Sequence, residues 1–111
     1  MARRYVPARG DVIWITFNPQ AGYEQAGRRP ALVLSPVAYN RKVGLAVMCP
    51  ITNQIKGYPF EVVITENPPS VVLADQVKSV DWRARAAVRK WRVSEAILEE
   101  VRAKIRALIG A

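Results

Sequence analysis

A small, mainly β barrel carrying one C-terminal helix is the fold this sequence predicts. Three observations predict it. Short β-branched and aromatic runs recur from Asp11 to Val80, broken by Gly, Pro and Asn. After Ser94 the apolar spacing changes from alternation to a helical repeat. The chain has 111 residues, 50% of them hydrophobic, which fits one domain with a modest core. No linker, repeat or low-complexity segment divides it, so residues 1–111 read as a single domain.

Gly10-Asp11 opens the first strand, about Asp11 to Phe17. Val12, Trp14 and Thr16 point to one side and Ile13, Ile15 and Phe17 to the other. A strand apolar on both faces is either central in a sheet or part of a dimer contact. The second strand runs from about Ala31 to Ser35. Pro30 stands at its start, where a fixed φ and a missing N–H are tolerated. Pro36 to Lys42 reads as a turn-rich connection, and Val43 to Cys49 as a third strand ending at Pro50. Thr52-Asn53-Gln54 begins a polar loop that closes at Gly57-Tyr58-Pro59. Phe60 to Ile64 is short and β-branched, hence a strand, and Asn67-Pro68-Pro69-Ser70 is a turn. Val71–Ala74 and Val77–Val80 are two further short strands around Asp75-Gln76.

In the C-terminal segment Ser94 is the N-cap, with Glu95 in the first turn. Val93 and Leu98 sit at the positions of a hydrophobic staple. Ile97, Val101, Ile105 and Leu108 fall on one helical face, which should pack on the barrel. Glu100 and Lys104 have the spacing of an i,i+4 pair, and Gly110 is a natural stop.

No apolar run approaches the roughly 20 residues that span a bilayer. The start, Met-Ala-Arg-Arg-Tyr, lacks the apolar core of a signal peptide, so a cytoplasmic protein is expected. The single cysteine, Cys49, cannot form an internal disulfide. Its apolar setting favours a buried thiol over a nucleophile. The net charge of +8 favours a polyanionic partner, nucleic acid or an acidic protein segment, over a basic surface with no partner. There is no histidine, which removes the commonest acid–base group and metal ligand. No metal or cofactor is expected.

Three constellations carry candidate chemistry. Gly22-Tyr23-Glu24-Gln25-Ala26-Gly27-Arg28-Arg29-Pro30 sets a carboxylate a few residues before an Arg-Arg pair that leads into a strand. Arginine grips phosphate with a planar fork, and the carboxylate could take a proton or merely neutralise the pair. Pro50-Ile-Thr-Asn-Gln54 places the Thr52 hydroxyl just past a strand end, where it could bond a phosphate oxygen or simply form a Thr-Asn turn. Asp75-Gln76-Val77-Lys78-Ser79, followed by Trp82-Arg83-Ala84-Arg85, could grip a backbone and stack on bases. Spacing alone favours the plainer reading, a solvated basic edge that blocks sheet-to-sheet association.

Several stretches together resemble the MazF/PemK family of toxin–antitoxin ribonucleases, in order and along nearly the whole chain. They are Arg4-Tyr-Val-Pro7, Gly10-Asp11, Glu24-Gln-Ala-Gly27 with Arg29-Pro30, Val33-Leu-Ser-Pro36, Tyr39-Asn40, Lys56-Gly-Tyr-Pro-Phe-Glu61, Leu73-Ala-Asp-Gln-Val-Lys-Ser79 and Trp82-Arg-Ala-Arg85. The resemblance implies an SH3-like antiparallel β-barrel with a C-terminal helix, assembled as a homodimer. It implies a metal-independent endoribonuclease that cuts single-stranded RNA at short sequences, and an antitoxin whose acidic tail covers the RNA site. By position it makes Arg29 and Thr52 active-site residues and Glu24 an acidic residue of the same site. The residues expected to contact RNA, from these stretches and their basic neighbours, are Gln25, Arg28, Asn40, Lys56, Asp75, Gln76, Lys78, Ser79, Arg83 and Arg85. Two departures stand out. Close relatives often carry histidine where this chain has Arg28, and the loop from Thr65 to Ser70 is shorter.

The implied chemistry uses the RNA's own 2′-hydroxyl as nucleophile, leaving a 2′,3′-cyclic phosphate and a 5′-hydroxyl. Glu24 is the candidate base, with orientation of Arg29 as its alternative role; Arg28 and Arg29 would lower its pKa. Two other functions fit the fold, a non-catalytic RNA-binding barrel and a gyrase poison like the CcdB relatives. Joint retention of Glu24, Arg29 and Thr52 argues against the first. The ending Leu108-Ile-Gly-Ala111, without the tryptophan-bearing tail of CcdB, argues against the second.

Overall fold

The computed structural model describes residues 5–17 and 27–110, apart from the Phe17 side chain. Glu24 and Gln25, with the rest of the Gly22–Ala26 approach, lie outside the described residues. The elements are β1 (Asp11–Phe17), β2 (Gly27–Val33), α1 (Val37–Val43), β3 (Ala46–Thr52), β4 (Glu61–Glu66), β5 (Pro69–Leu73), a 3-10 turn (Ala74–Gln76), β6 (Lys78–Val80), β7 (Val88–Arg92) and α2 (Glu95–Ile109). The strands form one antiparallel sheet in the order β4-β5-β3-β2-β1-β7, with β6 also pairing β3. It curls into a half-barrel, in keeping with the SH3-like expectation.

Both faces of the sheet are covered. On one, Val12, Leu32, Cys49, Ile51, Val62 and Val72 meet Val93, Leu98 and Val101 of α2. On the other, Ile13, Ile15, Ala31, Val33, Ala46 and Met48 pack with Val80 and Trp82. β1 lies between β2 and β7, so its two apolar faces are those of a central strand.

Two prolines sit where sequence reading had put strand ends, and the topology explains both. β2 begins at Gly27 rather than Ala31, so Pro30 is inside it, opposite Trp14 of β1. The pairing of β2 with β3 covers residues 31–33, so at Pro30 one side of β2 needs no donor. β3 runs on past Pro50 to Thr52. Its outer edge pairs with β6 over residues 46–48 and with β5 over residues 51–52, and Pro50 falls in the gap. Thr52 is therefore the last residue of a strand, not the first of a loop.

β3 begins at Ala46 rather than Val43, because the segment read as a turn, Pro36 to Lys42, is taken up after Pro36 by α1, which also claims Val43. Pro36 is its extended N-cap, Gly44 closes it at φ 80°, and Arg41 and Lys42 suit the negative end of its dipole. Seven residues are too few to show a helical period. β7 was not foreseen at all. Its sequence, Val-Arg-Lys-Trp-Arg, is charged and mostly exposed, as suits an edge strand.

α2 follows its local signals. The Ser94 hydroxyl accepts from the Ile97 N–H at 3.2 Å, and Gly110, at φ 77°, returns its N–H to the Arg106 carbonyl at 3.0 Å. Leu98 and Val101 are buried with Ile97 and Ile105 beside them, while Leu108 turns out exposed. Lys104 bonds the Pro59 carbonyl rather than Glu100, and the helix's ion pairs join Arg102 to Glu95 and Glu99, and Arg106 to Glu99. Among the described residues, no helix is long and apolar enough to cross a membrane. Cys49 is buried, and burial pushes its thiol up to about 12, which suits a packing role rather than a nucleophile's.

Candidate functional site

The ladder between β2 and β3 pairs Val33 with Met48, Leu32 with Cys49 and Ala31 with Pro50. Beyond Ala31 and Pro50 the two strands part, and both Arg29 of β2 and Thr52 at the end of β3 border the gap. The strands do not pair there; β3 has passed to β5, where Thr52 faces Val71. The opening is a groove of about 430 Å³. β1 supplies Val12 and Trp14, β2 supplies Arg28, Arg29 and Pro30, and the end of β3 supplies Ile51, Thr52 and Asn53. The β4–β5 hairpin adds Ile64, Thr65, Pro68, Pro69 and Ser70, and β7 adds Lys90 and Trp91. The short 65–70 loop is thus one wall of the groove. Thr65 pins it by donating to the Pro68 carbonyl at 2.8 Å, with the Ser70 hydroxyl 2.6 Å away.

Thr52 is 5% exposed, and its hydroxyl oxygen accepts from the Gln54 N–H at 3.1 Å. That contact is the Thr-Asn turn seen in the sequence. It occupies an acceptor lone pair and leaves the O–H free to donate, so the turn and a phosphate contact are compatible. Arg28 lies at the exposed end of β2. Its guanidinium donates to Thr16 Oγ1 at 3.3 Å and to the Ala86 carbonyl at 3.0 Å. These bonds brace the β1–β2 arm against the turn at residues 83–87.

The other expected RNA contacts distribute differently. Lys56, Asp75, Gln76, Lys78, Ser79, Arg83 and Arg85 do not line this groove. Lys56 sits on a loop whose backbone is clamped by Glu61, which accepts from the N–H groups of Lys56 and Gly57 at 2.9 and 2.8 Å. Asp75 accepts from the Tyr58 hydroxyl at 2.8 Å; burial first, then this bond, pushes Tyr58 up to about 12, so it stays a donor at neutral pH. The Arg83 guanidinium stacks 4.8 Å from the ring centre of its neighbour Trp82. Arg85 donates to the Thr16 carbonyl at 3.1 Å.

Asn40 does not line the groove either. It is fully buried, and its side chain is occupied by Ser35 and Pro7, so it does not present its amide to a ligand. Its carbonyl accepts the indole N–H of Trp82 at 3.1 Å. Among the groove residues not expected from the sequence are Trp14, Lys90 and Trp91. Trp14 was visible as one face of β1. Lys90 and Trp91 depend on a strand that had no apolar alternation to reveal it.

The family model for PemK-like, MazF-like toxins of type II toxin–antitoxin systems matches residues 8–109. The endoribonuclease toxin MazF of Escherichia coli K12 is 54% identical over 111 residues, covering 99% of this chain and 100% of that protein. The endoribonuclease PemK of Escherichia coli is 34% identical over 107 residues, covering 91% of this chain and 80% of that one. The crystal structure of MazF from Deinococcus radiodurans superposes with a TM-score of 0.91 at 50% identity, over 97% of this chain and 100% of that one. A MazE–MazF crystal structure from the same organism gives 0.86 at 50% identity, over 96% and 98%. With the family pattern matched from residue 8 to 109 on a fold shared so closely, this chain belongs to the PemK-like, MazF-like toxins of type II toxin–antitoxin systems.

Proposed function

We propose that this chain is an endoribonuclease toxin of the cytoplasm that cuts single-stranded RNA, including mRNA, at short sequences without a metal ion. The observation that carries the reading is that Arg29 of β2 and Thr52 of β3, both expected from the family resemblance, border one groove. The names of the relatives, endoribonuclease toxin MazF and endoribonuclease PemK, support it.

In this reading the RNA's 2′-oxygen attacks the adjacent phosphorus. The 2′-O–P bond forms, the P–O5′ bond breaks with its electron pair, and the 5′-oxygen takes up a proton. Attack and departure must be in line, which favours a flexible single strand over an A-form duplex. Negative charge collects on the phosphorane oxygens. The Arg29 guanidinium stabilises it, and the Thr52 hydroxyl adds a hydrogen bond. Glu24 takes the 2′-proton or orients Arg29. With no histidine in the chain, the usual acid–base pair of metal-free ribonucleases is unavailable. Cleavage of a long RNA should persist in excess EDTA and leave 2′,3′-cyclic phosphate and 5′-hydroxyl ends. Activity that vanishes with chelator and returns with magnesium would sink the mechanism.

Regulation follows from the same groove. The toxin acts as a homodimer, and a cognate antitoxin inserts an acidic C-terminal tail where RNA would lie. The MazE–MazF complexes of the Deinococcus radiodurans relative and the net charge of +8 support this. Tail and RNA should compete, and both should bind more weakly as salt rises. Titrating an acidic tail peptide against labelled, non-cleavable RNA at fixed salt checks it. Simultaneous binding without mutual loss of affinity would separate the two sites.

A further inference from the structure

Two strand ends at the groove stand outside the main ladder. β7 pairs with β1 over residues 11–14, and β3 pairs with β2 over residues 31–33. Residues 15–17 of β1 and 27–29 of β2 pair with each other as a two-stranded extension. Arg29, which the proposed mechanism sets against the phosphorane, stands on it opposite Ile15. A two-stranded ribbon is only marginally stable by itself, so the place of Arg29 depends on what braces the extension.

The brace is the segment 81–87, between β6 and β7. The Thr16 N–H donates to the Arg85 carbonyl at 3.3 Å, and the Arg85 guanidinium donates back to the Thr16 carbonyl at 3.1 Å. Arg28 reaches from β2 past its cross-strand partner Thr16 to the far side of β1. It donates to Thr16 Oγ1 at 3.3 Å and to the Ala86 carbonyl at 3.0 Å, so one guanidinium ties β2, β1 and the turn together. The turn is itself held firmly. The Asp81 carboxylate accepts from the N–H groups of Arg83 and Ala84 at 3.1 and 3.0 Å, and the Ala87 N–H donates to the Trp82 carbonyl at 3.1 Å. Trp82 is buried in the core and anchors the turn there.

We propose that Arg28 is a positioning residue: with the 81–87 turn it clamps the two-stranded extension, and so keeps Arg29 in place at the scissile phosphate. The inference deepens the ribonuclease reading and rests on it for the reaction. Arg28 Nη1 and Nη2 each bond a protein oxygen, and the two oxygens belong to different segments. That is the work of a strut. A phosphate contact through the same fork is the competing role. A strut matters here because a misplacement of about 1 Å can cost roughly a hundredfold in rate.

The test pairs single-turnover cleavage of a long RNA, with protein in excess, with the affinity for a non-cleavable 2′-O-methyl RNA across a salt series. Arg28→Ala should cut roughly tenfold to a hundredfold more slowly. Its slope of log affinity against log salt should match wild type. A phosphate contact would instead weaken binding and reduce that slope by about one, a result that overturns the proposal. Arg28→Lys keeps the charge but not the fork, and should bind RNA like wild type while cutting well below its rate. Thr16→Val removes one of the two acceptors and no charge, and should slow cleavage by a smaller factor. Because the strut acts through Arg29, Arg28→Ala should change the rate by less than about twofold when Arg29 is already alanine. Full additivity of the two losses overturns the proposal. Hydrogen exchange reads the clamp without the reaction. In Arg28→Ala the Thr16 N–H should exchange faster while the amides of α2 keep their wild-type rates. Unchanged exchange at Thr16 overturns the clamp, as does faster exchange throughout, which marks general damage. A protein that never cuts RNA loses its proposed function, while the exchange comparison still decides the clamp. One whose Arg28→Ala form cuts RNA at the wild-type rate keeps the function and loses the positioning role.

Discussion

Replacing Arg29 or Thr52 with alanine is expected to lower the rate of RNA cleavage by about a hundredfold or more in each case. Removing one donor to a developing oxyanion typically costs on the order of 3 kcal/mol of transition-state stabilisation. The two side chains differ in what else they do. Arg29 is half-exposed at the groove, so its loss should leave the fold intact. Thr52 is buried and holds the Gln54 N–H, so Thr52→Ala also gives up about 1 kcal/mol of stability. Conservative replacements separate chemistry from structure. Thr52→Ser keeps the hydroxyl and should keep most activity, whereas Thr52→Val keeps the shape and should not. Arg29→Lys keeps the charge but loses the fork, and should fall between wild type and alanine. The measurement is single-turnover cleavage by purified variants whose folding has been checked by thermal unfolding. Wild-type rates in a folded Arg29→Ala or Thr52→Ala protein would remove that residue from the site.

What the sequence disclosed depended on how local the physical signal was. α2 was legible end to end because its cap, staple and stop lie within one stretch, from Val93 to Gly110. The strands were legible as existing but not as bounded. Pro30 and Pro50 look like strand ends in isolation; they are strand interiors because neighbouring strands stop short of them, a fact of topology. α1 hid between Pro36 and Gly44, flanking signals that were present but too close together to frame a period. Arg29 and Thr52 came from motif matching, and the structure adds that both border one groove. Lys90 and Trp91 were beyond reach, because a one-residue bulge decides where both point. Asn40 illustrates the converse, since the sequence does not disclose its burial. A polar side chain in a matched stretch reads as a contact to a ligand until its burial is known.

Asn40→Ala should therefore unfold the protein more readily without altering its affinity for RNA. The Asn40 side chain accepts from the Ser35 hydroxyl at 2.5 Å and donates to the Pro7 and Ser35 carbonyls at 2.8 and 3.0 Å. Ser35 in turn accepts the Val47 N–H at 2.8 Å, so the network ties the N-terminal segment and α1 to β3. No buried side-chain polar atom among the described residues lacks a hydrogen-bond partner. Alanine would break that condition at the Ser35 hydroxyl and at two carbonyls together, and each buried group left unpaired costs about 1–3 kcal/mol. A total loss of roughly 3 kcal/mol or more is expected, a large part of the 5–15 kcal/mol typical of a whole domain. At about 4–8 °C per kcal/mol for a domain of this size, the midpoint should fall by roughly 10–20 °C. Asn40→Asp should do no better, because it removes both amide donors and buries a charge in their place. Thermal unfolding and RNA binding, both measured on the same preparation well below the midpoint, tell the two roles apart. A strut lowers the midpoint and spares the dissociation constant; an RNA contact does the reverse. Loss of affinity at an unchanged midpoint would return Asn40 to the RNA surface, and would mean that the α1 segment opens when RNA binds.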